Sequence, residues 1–251
     1  MVSKPNQKKT TLVILGVGHA NQLVSKSCQP AVYRAFFDRV KPDVIGVERA
    51  PLEFLKSNFY DFTHEQKNII IPYAEKNKIK VMPFDWNATT EDQQLAWGRA
   101  DLEQPPFLRE KHTYKDFISF PKPFTYEDDF FYSERTEAED RMTEWLNDKK
   151  SGEADFPRRF FLYRTYMQAM RIKQIAKDAK GKTVLIVVGH MHKHDIEKVV
   201  GTSPTIDIVQ ASTYGYPTDP EITKSVEKID ASFILSFNLL GVQSQHDVDW
   251  E

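Results

Sequence analysis

Short apolar runs alternate along the chain with longer stretches in which apolar residues recur at helical spacing. Runs rich in β-branched residues that end at turn or polar residues are typical of buried strands in a parallel sheet. The runs are Thr11–Leu15, Val44–Val47, Ile79–Phe84, Val184–Val188 and Thr205–Val209. The pattern predicts an α/β fold with a largely parallel central sheet and helices on both faces of the sheet.

The stretches between these runs contain the predicted helices. Apolar residues on one face and a proline in the first turn favour a helix over Pro30–Val40. A helix over His64–Asn77 is expected to be interrupted at Pro72. Further helices are predicted over Leu52–Asn58, Tyr126–Lys149 and Asp155–Lys180, and a short one ends at Val200.

The length of 251 residues suits one large domain. We expect a disordered tail over residues 1–10, a single α/β domain over 11–240 that ends in a strand over 232–239, and a loose tail over 241–251. Residues from about 88 to 150 are polar, aromatic and proline-containing. We expect this insertion to be helical or irregular and to lie over the site, where insertions often carry specificity.

The charge distribution limits the partners of the chain. Its formal net charge is −2, and lysines and arginines are scattered without a long basic block. This distribution predicts that neither nucleic acid nor an anionic membrane is a partner. The first apolar run is too short for a signal-peptide core or a membrane span, so a cytoplasmic location is the default expectation.

Two of the predicted strands are followed by a histidine at the same spacing from a glycine. Gly16 and His19 form the pattern G-x-x-H, and Gly189 and His192 repeat it. In open α/β sheets, ligands bind beyond the carboxyl ends of the strands. If the two strands are neighbours, His19 and His192 meet there. The alternative is that each histidine only caps a strand end, but the repetition favours a functional site.

Other ionisable residues follow strands in the same way. Glu48 follows the second strand and Asp85 the third, and the ends of parallel strands lie on one edge of a sheet. Two further histidines, His190 and His194, flank His192. Extended backbone would put all three on one side, whereas a helix starting within this segment would separate them.

Together these segments resemble a known superfamily. ILGVGH, VIGVE, IKVMPFD and VLIVVGHMH, with a helix carrying Arg164 before the last, are similar to the superfamily that groups TraB and TIKI proteins with erythromycin esterases and ChaN-like haem-binding proteins. The resemblance covers residues 11–86 and 158–200. It implies that the paired GxxH histidines are His19 and His192 and that the strand-end glutamate is Glu48. The helix arginine would be Arg164, with Arg158 and Arg159 as alternatives. His190 and His194 are additional to the pattern.

The resemblance and the residues first suggest a metal-dependent hydrolase. His19, His192 and Glu48, completed by His190, would hold zinc, manganese or cobalt, and the metal would activate water against an ester or peptide-like substrate. Asp85 and His194 would support these ligands without binding the metal, and Asp85 would orient an imidazole. A substrate carboxylate or a developing oxyanion would be held by Arg164.

Two other functions stay open on the sequence. One is a metal-free hydrolase like the erythromycin esterases, in which a histidine assisted by Glu48 deprotonates water. The other is a non-catalytic haem- or metal-binding protein, with Tyr214 or Tyr216 as haem ligands. A structural alternative is that Glu48 and Arg164 only form a buried ion pair.

Overall fold

The computed structural model describes residues 8–19, 25–59, 63–86, 88, 129–147, 155–228 and 230. Four predictions fall partly or wholly on other residues, and one of them is the tail over residues 1–10, of which only residues 8–10 are described. The strand over 232–239, the tail over 241–251 and most of the insertion from about 88 to 150 lie outside the described residues.

The described residues form five strands and seven α-helices. The strands are β1 (Thr10–Val17), β2 (Val44–Val47), β3 (Lys80–Pro83), β4 (Thr183–Gly189) and β5 (Ile206–Gln210). The helices are α1 (Pro30–Val40), α2 (Pro51–Leu55), α3 (Ile71–Asn77), α4 (Thr136–Asn147), α5 (Asp155–Asp178), α6 (His190–Val200) and α7 (Asp219–Lys224). A π-helical turn, Gln66–Ile70, leads into α3, and 3-10 turns cover Lys26–Cys28, Tyr132–Glu134 and Ala211–Tyr214.

All five strands belong to one parallel sheet with the order β3-β2-β4-β1-β5. β4 lies in the centre, paired with β1 on one side and with β2 on the other. In this register Val17 is opposite Gly189, and Val47 is opposite Val187. The predicted α/β fold is confirmed, and the two strands that carry the GxxH motifs are neighbours.

Each central strand buries both of its faces, which explains its continuous apolar sequence. On β1, Val13, Leu15 and Val17 pack with α1, α3 and the π-helical turn. Leu12 and Ile14 point to the opposite face and pack with α5 and α6. This alternation follows from the period of two along a strand. Helices therefore cover both faces of the sheet, as predicted.

Element boundaries differ from the prediction at several places. β1 begins at Thr10, whose hydroxyl donates to the Ala176 carbonyl at 2.7 Å, so Thr10 does not belong to the tail expected over residues 1–10. The helix predicted over His64–Asn77 changes next to Pro72: the π-helical turn Gln66–Ile70 ends there, and α3 begins at Ile71 with Pro72 in its first turn. α4 begins at Thr136 rather than at Tyr126.

The three histidines after β4 lie on a helix. α6 begins at His190, directly after Gly189. A helix turns by about 100° per residue, so His190 and His194 share one side and His192 lies on the other. The possibility of an extended segment with all three histidines on one side is therefore wrong.

α5 is the longest helix described, with 24 residues. Arginines, lysines and other polar residues interrupt its apolar positions throughout its length. Neither α5 nor any other helix in the described part of the chain is long and apolar enough to cross a membrane.

Replacing Phe36 by alanine should lower the free energy of unfolding by about 3–5 kcal/mol, because a buried ring is lost. Phe36 is fully buried and packs edge-on against Phe130, Phe131 and Tyr214. Leu55→Ala is the control, since Leu55 is 79% exposed and its truncation should change stability by less than about 0.5 kcal/mol. Equal denaturant midpoints for the two variants would contradict this assignment of the core.

Candidate active site

The three central strands bring both GxxH motifs and Glu48 together. His19 lies two residues after β1, Glu48 directly follows β2, and α6, which carries His192, directly follows β4. All three residues are buried. Because β4 lies between β1 and β2, their side chains meet at the carboxyl edge of the sheet, where ligands bind in folds of this class.

The carboxylate of Glu48 lies between the two imidazole rings. Its Oε2 is 3.6 Å from Nε2 of His19, and its Oε1 is 3.5 Å from Nε2 of His192. The backbone N–H of Gly189 donates to Oε2 at 2.6 Å, and Nη2 of Arg164 donates to Oε1 at 2.8 Å. One buried carboxylate therefore connects β2, α5 and both GxxH motifs.

Glu48 stays ionised in spite of its burial. Burial alone would raise its pKa, but His192, His19 and Arg164 together hold the pKa of this carboxyl well below its usual range. A carboxylate held in this way is a weak proton acceptor. Its charge instead stabilises positive charge on the neighbouring rings.

The glycine of each GxxH motif is required by close packing. A Cβ atom on Gly189 would lie 2.9 Å from Nε2 of His19 and 3.3 Å from Oε2 of Glu48. A Cβ atom on Gly16 would lie 2.5 Å from Cβ of Ser133. The backbone of Gly189 is not in a glycine-only conformation, so the constraint there is the space that His19 and Glu48 occupy.

His19 is held as an imidazolium by two carboxylates. Its backbone has a φ of 53°, a left-handed conformation that is uncommon outside glycine and concentrates at functional sites. Nδ1 donates to Glu65 at 2.9 Å, while the other oxygen of Glu65 lies 3.6 Å from Nδ1 of His64. Burial alone would lower the pKa of His19, but Glu65 and Glu48 outweigh it and raise the pKa to about 10.

His192 is held as a neutral ring by α5. Its Nδ1 lies 2.7 Å from the Thr165 hydroxyl, and its ring stacks on Phe161 with centroids 4.4 Å apart. Burial lowers the pKa of His192 to about 4, although Glu48 opposes the shift, and Arg164 adds to the lowering. Between about pH 4 and 10 the two histidines therefore carry different charges.

Arg164, the helix arginine that the resemblance suggests, contacts two carboxylates of the site. Its guanidinium makes a two-point contact with Asp85, at 3.0 Å and 2.7 Å, besides its bond to Glu48. Asp85 also accepts from Gln168 at 2.8 Å. Asp85 was expected to orient an imidazole, but it orients Arg164, because α5 places that side chain between Asp85 and Glu48. The ion pair between Glu48 and Arg164 proposed as an alternative is present.

His190 and His194 lie on the other side of α6. The ring of His190 packs edge-on against Tyr132, with centroids 6.0 Å apart. His194 faces Glu139 at 3.8 Å. Within the described ranges, neither ring belongs to the set of groups that contact Glu48. The helical geometry of α6 is the reason that only His192 reaches the site.

Several residues of the site were missed in the sequence. Phe161, Thr165 and Gln168 lie in the helix predicted over Asp155–Lys180, and Glu65 lies in the helix predicted over His64–Asn77, but the sequence analysis assigns none of them to the site. With Arg164, the three α5 residues recur at offsets of three, four and seven, which is one helical face. Polar residues on a face that is otherwise apolar were the available signal. For Glu65 no local signal existed.

The donor atoms of the site have suitable chemistry for a transition metal, but their arrangement does not fit one. Nε2 of His19, Nε2 of His192 and Glu48 are suitable ligands by type. However, the guanidinium of Arg164 already lies 3.3 Å from Nε2 of His192 and 2.8 Å from Glu48. Among the described residues, no group of three or more His, Cys, Asp and Glu side chains is placed to hold a metal ion.

No protein-family model matches the chain, and no curated protein or solved structure matches it either.

Replacing Glu65 by glutamine should reduce the amount of stability that the protein loses as the pH rises from 7 to 10. An unfolded histidine titrates near pH 6.5, whereas folded His19 has a pKa of about 10. The stability that His19 contributes is therefore complete below about pH 6.5 and is lost as the pH rises through about 10. Without the Glu65 charge this loss should shrink, as measured by melting temperatures from pH 7 to 10.

Glu53→Gln is the matched control for this experiment. Glu53 is also a buried glutamate, but its partners are Asn58, Lys56 and Arg49 rather than a histidine. Its variant should lose stability with rising pH as the wild type does. Parallel curves for wild type and Glu65→Gln would show that Glu65 does not set the charge of His19.

Proposed function

We propose that this protein is a hydrolase that activates water by general acid–base catalysis, with His192 as the base and His19 as the acid. One observation carries the proposal: the two Nε2 atoms face opposite oxygens of the buried Glu48 carboxylate, at 3.5 Å and 3.6 Å. Their surroundings push the two pKa values apart, to about 4 and about 10. Such a divided pair marks the base and the acid of an active site.

In this mechanism His192 accepts the proton of the attacking water at Nε2. The imidazolium that forms lies beside Glu48, whose negative charge stabilises it. His19 then donates the proton of its Nε2 to the leaving group. Arg164, whose side chain is one-quarter exposed, lies next to both groups and can stabilise the oxyanion that develops on the substrate.

The low basicity of His192 in the resting protein is partly relieved when substrate reacts. Arg164 is one cause of its lowered pKa, because Nη1 approaches Nε2 at 3.3 Å. Negative charge that develops on a substrate oxygen near Arg164 offsets this effect. The basicity of His192 therefore rises as the transition state forms, when a general base is needed.

The proposed substrates are esters, lactones or peptide-like compounds. This class rests on the resemblance of the paired GxxH motifs, Glu48 and Arg164 to the superfamily that includes erythromycin esterases and TIKI peptidases. Hydrolysis of an ester or lactone needs the groups assigned here: a base for water, a cation for the oxyanion and an acid for the alcohol.

The activity profile against pH is the first test, with p-nitrophenyl acetate and then a panel of lactones and peptides as substrates. The rate should be nearly constant at neutral pH and fall as His192 is protonated near pH 4. With the lactones, whose alkoxide leaving group needs a proton, it should also fall as His19 loses its proton near pH 10. His192→Ala should lower kcat by about 10²–10⁴-fold. His194→Ala, on the other side of the same helix, should not change it. Turnover that survives His192→Ala in folded protein would rule out this base.

A metal-dependent hydrolase is the second candidate. It is favoured by the number of carboxylates at the site, since Glu48 and Asp85 contact Arg164 and Glu65 contacts His19. It is also favoured by the partners on Nδ1 of both histidines, which are common for metal-bound imidazoles. Haem binding would require the candidate ligands to give up their present contacts. Tyr214 packs against Phe36, and the hydroxyl of Tyr216 donates to the Ser27 carbonyl.

Metal content separates the two hydrolases. Protein purified without metal-affinity resin should contain far less than one equivalent of zinc, manganese or cobalt, and EDTA should leave turnover of p-nitrophenyl acetate unchanged. One equivalent of metal, lost together with activity on chelation, would favour the second candidate. A Soret band would favour haem binding.

A further inference from the structure

The hydroxyl of Thr165 makes two short contacts with fixed roles. It donates to the carbonyl of Phe161 at 2.8 Å, because a carbonyl can only accept. It also lies 2.7 Å from Nδ1 of His192. A hydroxyl has one proton, and the Phe161 carbonyl takes it. At Nδ1, Thr165 must therefore accept, so Nδ1 of neutral His192 carries the hydrogen.

The other nitrogen of the ring agrees with this assignment. Nη1 of Arg164, which can only donate, lies 3.3 Å from Nε2 of His192. A lone pair on Nε2 accepts from this donor, whereas a hydrogen there would face another hydrogen. The only acceptor for a hydrogen on Nε2 would be Glu48, at the long distance of 3.5 Å. Both sides of the ring therefore select the tautomer with the lone pair on Nε2.

The ring is also fixed in orientation. Phe161 and Thr165 lie one helical turn apart on α5, so they share the face that packs on α6. The Phe161 ring stacks on His192 with an angle of 9° between the planes. Thr165 is 1% exposed and His192 is 4% exposed. Bulk water therefore does not compete for Nδ1, and the Thr165 hydroxyl is its acceptor.

We propose that Thr165 is a positioning residue that fixes the tautomer of His192 and so keeps the lone pair on Nε2, facing Glu48 and Arg164. Its effect on turnover rests on the proposed function, in which that lone pair accepts the proton of water. Its effect on the tautomer does not, because it depends only on the hydrogen bonds described above.

The test compares three variants of the full chain by nitrogen NMR of the imidazole rings and by p-nitrophenyl acetate turnover. Thr165→Val keeps the shape and removes the hydroxyl, and Thr165→Ser restores a hydroxyl. Thr10→Val is the matched control: Thr10 is equally buried and donates to the Ala176 carbonyl, but it lies at the opposite end of β1. The His192 signal is assigned by its loss in His192→Asn.

At pH 7, wild type, Thr165→Ser and Thr10→Val should all have hydrogen on Nδ1 of His192. In Thr165→Val a hydrogen on the buried Nδ1 would have no acceptor, a cost that outweighs the opposing contact with Arg164, so the hydrogen should move to Nε2, where Glu48 accepts it. The value of kcat should then fall about tenfold or more with little change in KM. Thr165→Ser should recover most of that loss. Thr10→Val should lower the melting temperature alone.

Hydrogen on Nε2 in the wild type, or on Nδ1 in folded Thr165→Val, would overturn the proposal. So would Thr165→Ser behaving as Thr165→Val does. If the tautomer moves in Thr165→Val while His192→Asn retains full turnover, the positioning role stands and the proposed base is wrong. The two claims can therefore fail separately.

Discussion

A buried negative charge on Glu48 is the constraint on which the site depends. An ionised carboxylate removed from water is stable only if charges and hydrogen bonds surround it. Here the Gly189 amide, the Arg164 guanidinium and the charged imidazole of His19 supply them. The parallel sheet makes this arrangement possible, because β4 lies between β1 and β2 and ends at the same edge.

Two histidines with the same motif have opposite electrostatic surroundings. His19 contacts a second carboxylate, Glu65, which outweighs burial and keeps the ring charged. His192 contacts a hydroxyl and a guanidinium instead, so burial dominates and the ring is neutral. The GxxH spacing places a ring beside Glu48, but the neighbours contributed by other elements decide whether that ring can accept or donate a proton.

α5 contributes the groups that arrange this chemistry. Phe161, Arg164, Thr165 and Gln168 lie on one face of the helix, and each contacts His192, Asp85 or Glu48. A helix packed across the sheet can hold several side chains rigidly because its backbone bonds are satisfied internally. The same helix supplies Ala169, Ile172 and Ala176 to the core on that face of the sheet. Packing and chemistry therefore depend on one element.

The sequence by itself determined the α/β class, the five strands and the candidate pair of histidines with Glu48, because strand periodicity and strand-end position are local properties. The resemblance also singled out Arg164, which lies beside Glu48 in the structure. It did not determine that His190 and His194 turn away from the site, since this depends on where α6 starts. Only the tertiary structure paired Glu65 with His19, Thr165 with His192 and Asp85 with Arg164. Those contacts join residues 27 to 79 positions apart, and no local pattern specifies which distant groups meet around a buried charge.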